Sequence, residues 1–265
     1  MEVKDLVEIN TDVLIAALIT TVLLVLILIV IQKKMNFPGK LFYISIICAL
    51  PLSYLINQIK IPILVDLFQS KVLDKTLTLT DGILWVLIVG FTEELIKFIV
   101  FLSILHFIKL NKQKNATIVA YCVGIGFGIG EIWWLTSEFI FLNSPSLIGL
   151  GWTAWLSGFG FERFFVTFGH AAIFMVVLFG YRKNSLSTLL YLGVAMVLHA
   201  LYDFPIILST IGIITSIEMA LIVFLELIYG FIVSFYLLDY FARIPVDEGR
   251  EIKKQELLKR AHDSL

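Results

Sequence analysis

The sequence predicts an all-α protein, a polytopic bundle of about seven transmembrane helices, possibly eight. Of its 265 residues, 59% are hydrophobic and only 15% are charged. Soluble domains carry about one quarter charged residues, so the composition indicates an integral membrane protein. The apolar residues are grouped into long runs, and about 20 residues are enough for a helix to cross a bilayer. We therefore expect one integral membrane domain over 1–265, with a core at 82–209 and a short tail at 243–265.

Seven apolar runs follow one another along the chain, and each is predicted to span the membrane. They cover 12–31, 41–66, 82–108, 116–141, 152–181, 187–209 and 213–241. The fifth run is the longest, and its first part, "GWTAWLSGFG", is rich in Gly, Ser and Trp. Such a stretch is also typical of a re-entrant or interfacial piece that is buried in protein, which would add an eighth membrane segment. The start of the fifth run is left open between these two interpretations.

Lysine and arginine in the short loops set the orientation, because they are enriched on the cytoplasmic side. The loops after the first, third and fifth runs and the C-terminal tail are rich in both residues. The alternate loops contain few of them. The sequence therefore predicts an external N-terminus and a cytoplasmic C-terminus. The basic residues of the first group include Lys33, Lys34, Lys40, Lys109, Lys112, Lys114, Arg182, Lys183 and Arg243.

Four of the runs contain ionisable residues far from either end. A charged group near the bilayer centre costs roughly 3 kcal/mol on insertion scales, so such groups face the bundle interior and pair with one another. At about 1.5 Å of rise per residue, all of them lie roughly 17–24 Å from the predicted cytoplasmic face. Four helices thus place acids or imidazoles in one layer, which predicts a single site. The residues are Glu93, Glu94, Lys97, Glu131, His170, His199 and Asp203.

The local spacing of these residues agrees with a single site. His199 and Asp203 are four residues apart and project from one helix face. Glu93 and Lys97 have the same spacing and are predicted to form an ion pair. A single Glu–Lys ion pair in a membrane is more often structural than catalytic. Glu226, in the seventh run, either joins the site or pairs with Lys97.

Small residues precede Glu131 in "GIGFGIGE". The glycines at 124, 126, 128 and 130 form two small-xxx-small frames, which allow helices to approach closely and would bring Glu131 to its neighbours. Arg163 and His170 are seven residues apart, near enough to one face of the fifth run. Glu162 and Arg163 are adjacent and either form an ion pair or line the mouth of the site.

The ordered set resembles the PrsW-type and CAAX-protease/bacteriocin-processing (Abi, CPBP) superfamily of intramembrane proteases. Its members are EExxK at 93–97, Glu131 after a Gly/Phe-rich stretch, His170, and HxxxD at 199–203. The lysine in the first motif is closer to the PrsW branch, and Asp203 stands where asparagine is commoner. The resemblance covers the third to the sixth runs.

This resemblance implies a hydrolase that cleaves a membrane-anchored protein within the lipid bilayer, in the plasma membrane of a prokaryote. A Glu and a His that share one water could activate it and protonate the leaving amine. The catalytic residues implied are Glu93, Glu94, His170 and His199, and the supporting residues are Lys97, Glu131, Asp203 and Arg163. The depth of the polar layer favours cleavage near the outer half of the substrate's span.

A metal could do the same work. Zinc takes His and carboxylate ligands together with a water, and the possible Zn²⁺ ligands are His170, His199, Glu131 and Asp203, with Glu94 as a further choice. The sequence contains no HExxH motif, so metal-dependent and metal-free mechanisms both stay open, and no organic cofactor is expected. The net charge of −1 suggests no nucleic-acid partner.

Two other classes of protein remain in competition. Proton- or ion-coupled transporters also bury Glu, His and Asp relays, although the sequence shows no internal repeat of the kind that transporters often carry. A non-catalytic scaffold of the same superfamily would keep the fold without the activity.

Overall fold

The computed structural model describes residues 3–108, 112–142, 154 and 156–243, and every regular element in these ranges is a helix. A π-helical turn at Leu156–Gly160 leads into the fifth α-helix. The α-helices of these ranges are α1 (Val3–Lys34), α2 (Gly39–Leu73), α3 (Leu79–Ile108), α4 (Lys112–Leu142), α5 (Phe161–Met175), α6 (Val177–Tyr181), α7 (Ser185–Thr210) and α8 (Ser216–Arg243).

Six described segments are long and apolar enough to cross a membrane: α1, α2, α4, the stretch Leu156–Tyr181, α7 and α8. The remaining long helix, α3, has 30 residues and carries Glu93, Glu94 and Lys97 in its middle. The predicted all-α polytopic bundle is therefore confirmed, and the chain is an integral membrane protein. From Leu156 onward the fifth run forms one membrane-length segment, whereas 151–153 and 155, at the start of "GWTAWLSGFG", lie outside the described residues.

Helix α4 is the centre of the bundle, and all of its residues from Asn115 to Gly130 are buried. Its four glycines make close contacts on two sides of the helix, towards α5 and towards α2. A Cβ on Gly124 would lie 2.5 Å from the Ala171 Cα of α5, and one on Gly130 would lie 2.0 Å from the Leu50 carbonyl oxygen of α2. The predicted small-residue frames are thus packing surfaces, because only a missing Cβ permits these backbone approaches.

Gly130→Ala is expected to destabilise the protein by about 1–3 kcal/mol, the usual cost of overpacking, because a backbone carbonyl cannot move aside. The matched control is Gly193→Ala in α7, where an added Cβ meets nothing within 4 Å among the described residues. Thermal unfolding in detergent micelles measures the difference. Equal melting temperatures for the two variants would contradict the close packing of α4 against α2.

The predicted cytoplasmic connections lie together at one end of the bundle. Arg182, which follows α6, donates hydrogen bonds to Thr117 Oγ1 at 3.0 Å and to the Phe241 carbonyl oxygen at 2.9 Å. A small cavity at the same place is also lined by Asn36, between α1 and α2. The loop after α1, the start of α4, the loop after α6 and the end of α8 therefore share one face, as alternating crossings require.

Which face is cytoplasmic stays a prediction from the basic residues. Reporter fusions at Lys112 and Arg182 are expected to read cytoplasmic, and a fusion at Ser146, which lies outside the described residues, is expected to read external. The reverse pattern would overturn the orientation and, with it, the side from which a substrate is cut.

Candidate functional site

A polar cavity of about 370 Å³ lies in the middle of the bundle among α2, α3, α4, α5 and α7. A larger groove of about 730 Å³ lies between α1, α2 and α4, and the only ionisable residues that line it within the described ranges are two tyrosines. The chemistry therefore belongs to the smaller cavity. Its ionisable lining consists of Lys60, Glu93, Glu131, Glu162, Arg163, His170, His199, Tyr202 and Asp203.

The two adjacent glutamates of α3 face different partners, because consecutive helix residues point about 100° apart. Glu93 lines the cavity, whereas Glu94 lies behind it with none of its side chain exposed. A Cβ on Gly90 would lie 2.5 Å from the Met196 carbonyl oxygen of α7. This close approach of α3 and α7 brings His199 against both carboxylates.

Glu94 contacts one histidine and one lysine of the site, His199 and Lys97. Its Oε1 lies 2.6 Å from His199 Nδ1 and also forms an ion pair with Lys97. Lys97 is fully buried, with its Nζ 3.3 Å from His170 Nδ1 and 4.6 Å from the centre of the Phe127 ring. One carboxylate and one ammonium thus connect the two imidazoles.

The predicted Glu93–Lys97 pair is wrong. Lys97 pairs with Glu94, three residues before it, and Glu93 pairs with Lys60 of α2. The pairing follows from helix rotation: Glu93 turns towards α2 and the cavity, while Glu94 and Lys97 share the face that packs on α5 and α7.

Lys60 belongs to this polar cluster but was missed in the sequence analysis. Its side chain is only 7% exposed. Lys60 lies about four helical turns before Leu73, the end of α2, and Glu93 lies about four turns after Leu79, the start of α3. The two helices are consecutive and antiparallel, so this near-equal distance from the turn places both residues at the same depth. This matching distance from the turn is the sequence feature that could have identified Lys60 as a partner of Glu93.

A second cluster lies on α4 and α5. Glu131 Oε2 accepts a hydrogen bond from Arg163 Nη1 at 2.9 Å and lies 3.0 Å from His170 Nε2. Arg163 also pairs with Glu162, which supports the ion-pair interpretation of these adjacent residues. Arg163 therefore bridges two carboxylates at the edge of the cavity, and Glu131 holds the side of His170 opposite Lys97.

The predicted convergence of the two histidines is confirmed, because their ring centres are 5.2 Å apart. Asp203 Oδ2 lies 3.7 Å from His199 Nε2 and lines the same cavity. Of the residues named from the sequence, Glu94 and Lys97 do not line the cavity and instead support those that do. Glu226 is not among the residues that line this cavity either.

The two atoms available for chemistry belong to His199 and Glu93, which both line the cavity. His199 Nδ1 faces a carboxylate and so carries the proton there, which leaves Nε2 with a lone pair in the neutral ring. This Nε2 is 3.4 Å from Glu93 Oε2, beyond ordinary N–H···O length. Glu93 Oε2 is buried and makes no hydrogen bond to any residue of the described ranges.

Glu93, His170 and His199 could hold a metal ion. One ligand atom from each lies within 4.8 Å of the other two, and one carboxylate with two imidazoles is a donor set that zinc accepts. The set differs from the predicted one, in which Glu131 and Asp203 joined the histidines. Glu131 is instead bound to Arg163, and Glu93 is the carboxylate that groups with both rings.

The charges of the described site do not balance if both imidazoles are neutral. Five carboxylates meet three cations, which leaves an excess of two negative charges inside the bundle. One divalent cation, or two protons taken up by the imidazoles or the carboxylates, would compensate this excess, and buried charges require such compensation. The carboxylates are Glu93, Glu94, Glu131, Glu162 and Asp203, and the cations are Lys60, Lys97 and Arg163.

Comparison of the chain with protein-family models, curated proteins and solved structures gives no match. The resemblance drawn from the motifs of α3, α4, α5 and α7 therefore stays a prediction.

Proposed function

We propose that the protein is an intramembrane peptidase that hydrolyses a peptide bond of a membrane-anchored protein. The observation that carries this proposal is the open pair formed by Glu93 Oε2 and His199 Nε2. The two atoms are 3.4 Å apart on residues that both line the cavity, and both side chains are held on their other side by buried groups. A base and a hydrogen-bond acceptor fixed around a small gap can bind and activate one water.

Glu93 acts as the general base in this mechanism. Lys60 holds Oε1, so Oε2 is the oxygen that points at the water. The water oxygen attacks the substrate's carbonyl carbon while one of its protons passes to Glu93. The C–N bond then breaks, and the amine leaves with the proton that Glu93 returns. His199 accepts a hydrogen bond from the same water at Nε2, and Glu94 fixes its ring.

His170 and Arg163 line the same cavity and offer N–H donors for the oxyanion. Because Lys97 donates to His170 Nδ1, the Nε2 of this ring carries the proton and points towards Glu131. A negatively charged oxygen near Glu131 could share this N–H or those of Arg163. Donors that are positioned before the reaction stabilise the transition state without reorganisation.

A zinc ion, if bound, would be held by Glu93, His170 and His199 and would lower the pKa of its water to about 7. In this metal-dependent alternative Glu93 would be a ligand and not the base. The alternative predicts about one zinc per protein chain after purification without chelator, and His199→Ala would lose most of it because one of three ligands is removed. Atomic absorption on wild type and variant measures the content. A metal-free wild-type protein that still cleaves would establish the mechanism based on Glu93 alone.

The depth of the site selects the substrate class. Glu93 lies close to midway between Leu79 and Ile108, the two ends of α3. At about 1.5 Å per residue the site is roughly 20 Å from either end, so a soluble protein cannot reach it. A membrane-anchored protein can. The depth counted from the apolar runs, with the predicted orientation, would place the cut at or just outside the outer half of its span.

The test compares new N-termini of membrane proteins in cells that express wild type or His199→Asn, which keeps a polar side chain of similar reach. Fragments that begin in the outer half of a span are expected only with the wild type. Fragments that begin on the cytoplasmic side would contradict the proposed cleavage position and favour a CAAX-type substrate. Identical fragments in both cultures would argue against a peptidase.

A further inference from the structure

A second cavity of about 370 Å³ lies beside the polar cavity, between α5, α7 and α8. Its walls are mostly apolar, with Leu198 from α7 and Val233 from α8 among them. Three of its lining residues have polar side-chain atoms, Tyr202, Glu226 and Tyr229. Tyr202 also lines the polar cavity, so this residue stands between the two spaces. We name the second cavity the Tyr202–Glu226 pocket.

Two polar atoms of this pocket are buried and unsatisfied. Neither the Tyr202 hydroxyl nor Glu226 Oε2 has a hydrogen-bond partner within the part of the chain that the structure describes. Buried polar atoms are normally paired, because an unpaired one costs free energy. Two such atoms in one pocket point to a ligand that both accepts and donates hydrogen bonds.

The depth of the pocket excludes a lipid headgroup. Tyr202 lies about two helical turns before the end of α7 at Thr210, and Glu226 lies about three turns after the start of α8 at Ser216. At about 1.5 Å per residue, both groups are roughly 12–15 Å inside the bundle, where the hydrocarbon tails of lipids offer no hydrogen bonds. An extended peptide does offer them at this depth, because its backbone N–H and C=O groups are unpaired.

Two glycines leave room for the Tyr202 ring at the boundary between the pocket and the polar cavity. A Cβ on Gly169 would lie 3.1 Å from the Tyr202 hydroxyl, and one on Gly230 would lie 3.2 Å from the Gly169 Cα. The two glycines thus leave the space that the tyrosine ring occupies between α5 and α8. On the outer side of the pocket, Leu201 and Tyr229 are 55% and 70% exposed, so the gap between α7 and α8 faces the bilayer.

We propose that the Tyr202–Glu226 pocket binds the unwound segment of the substrate next to the bond that is cleaved, and that this segment enters between α7 and α8. This inference rests on the proposed peptidase function. The Glu226 carboxylate accepts a hydrogen bond from a substrate N–H, and the Tyr202 hydroxyl donates one to a substrate carbonyl. The apolar walls take the side chains, and the reacting bond continues past Tyr202 into the polar cavity.

Photo-crosslinking tests this path in the full-length protein in liposomes. Benzoylphenylalanine replaces Leu198 or Val233 in the pocket, or their neighbours Val197 or Ile232, which face lipid at the same depth and line no part of the pocket. The probe is a synthetic single-span peptide of about 25 residues whose centre contains a helix-breaking Gly-Pro pair. A second probe is an unbroken polyleucine helix of the same length.

The broken probe is expected to crosslink more strongly to the two pocket positions than to the two lipid-facing positions. The polyleucine helix is expected to crosslink equally to all four positions. With the photoreactive residue at Leu198, Glu226→Leu or Tyr202→Phe should lower the broken probe's yield about threefold to tenfold, the value of one intramembrane hydrogen bond. Glu226→Gln should retain most of it, because an amide oxygen still accepts.

Equal crosslinking of the broken probe from all four positions would overturn the inference. The same holds if Glu226→Leu leaves the yield unchanged. Neither result depends on catalysis: pocket crosslinking without cleavage of any protein would contradict only the peptidase, and cleavage without pocket crosslinking would contradict only this path.

Discussion

The double variant Lys60→Met, Glu93→Gln is expected to fold normally and to lose peptide cleavage by roughly 10²- to 10⁴-fold, the range attributed to a general base. Glutamine keeps the size of Glu93 but cannot take a proton from water. Replacing Lys60 at the same time removes its positive charge, so no uncompensated ammonium is left in the bundle. Cleavage of membrane proteins by the purified variant in liposomes measures the effect.

Glu218→Gln is the control for this variant. Glu218 lies in the first turn of α8 and bonds to Thr215 in an exposed position, so its replacement should leave cleavage unchanged. A double variant that cleaves as well as the wild type would remove Glu93 from the mechanism. A double variant that does not fold would indicate that the polar cluster serves structure.

Lys60→Met alone is expected to reduce the free energy of unfolding by about 3–5 kcal/mol, the usual effect of removing one partner of a buried ion pair. The reason is that Glu93 is left in the bundle with Oε1 unpaired, in addition to Oε2. The double variant should regain most of the loss, because the second substitution removes the stranded charge. Unfolding in mixed micelles by sodium dodecyl sulfate measures both proteins.

Lys71→Met provides the matched comparison. Lys71 pairs with Asp81 at 2.5 Å near the ends of α2 and α3, but its side chain is 43% exposed. Exposed ion pairs contribute about 0–1 kcal/mol, so this variant should be close to wild type. Equal losses at Lys60 and Lys71 would mean that the Lys60–Glu93 pair is not buried as described.

The bundle and the existence of one polar cluster could be predicted from the sequence because both follow from a large energy difference. Long apolar runs must be helical in a bilayer, and ionisable groups at one depth must face one another. Depth along a helix can be counted from the sequence. This is why His170 and His199, from different helices, were expected together and are found 5.2 Å apart.

The partners within the cluster could not be predicted in the same way, because they depend on how each helix is rotated. Counting gives depth but not direction, so the pairing of Lys97 with Glu94 rather than Glu93 was missed. Glu131 was expected beside the histidines as a metal ligand. It does contact His170, but Arg163 also binds it, and Glu93 completes the group with the two histidines.

Hydropathy does not show that Lys60 is buried, because this lysine lies close to the predicted end of an apolar run. Hydropathy ends the second run at 66, which leaves Lys60 near an edge where a long side chain can reach water. The helix continues to Leu73 through polar residues, so the same lysine is in fact near the middle of α2 in the bundle. Helix ends that extend beyond apolar runs are the main source of such errors.

The central claim is that water is added across a peptide bond at Glu93, and isotope incorporation tests it most directly. Purified protein in liposomes is mixed with membrane proteins in water enriched in ¹⁸O, and the new C-termini are analysed by mass spectrometry. We expect new C-terminal carboxylates that carry one ¹⁸O with the wild type, and none with the Lys60→Met, Glu93→Gln variant. Movement of protons or ions across the liposomes that needs Glu93, with no labelled C-terminus, would contradict the peptidase and identify a transporter.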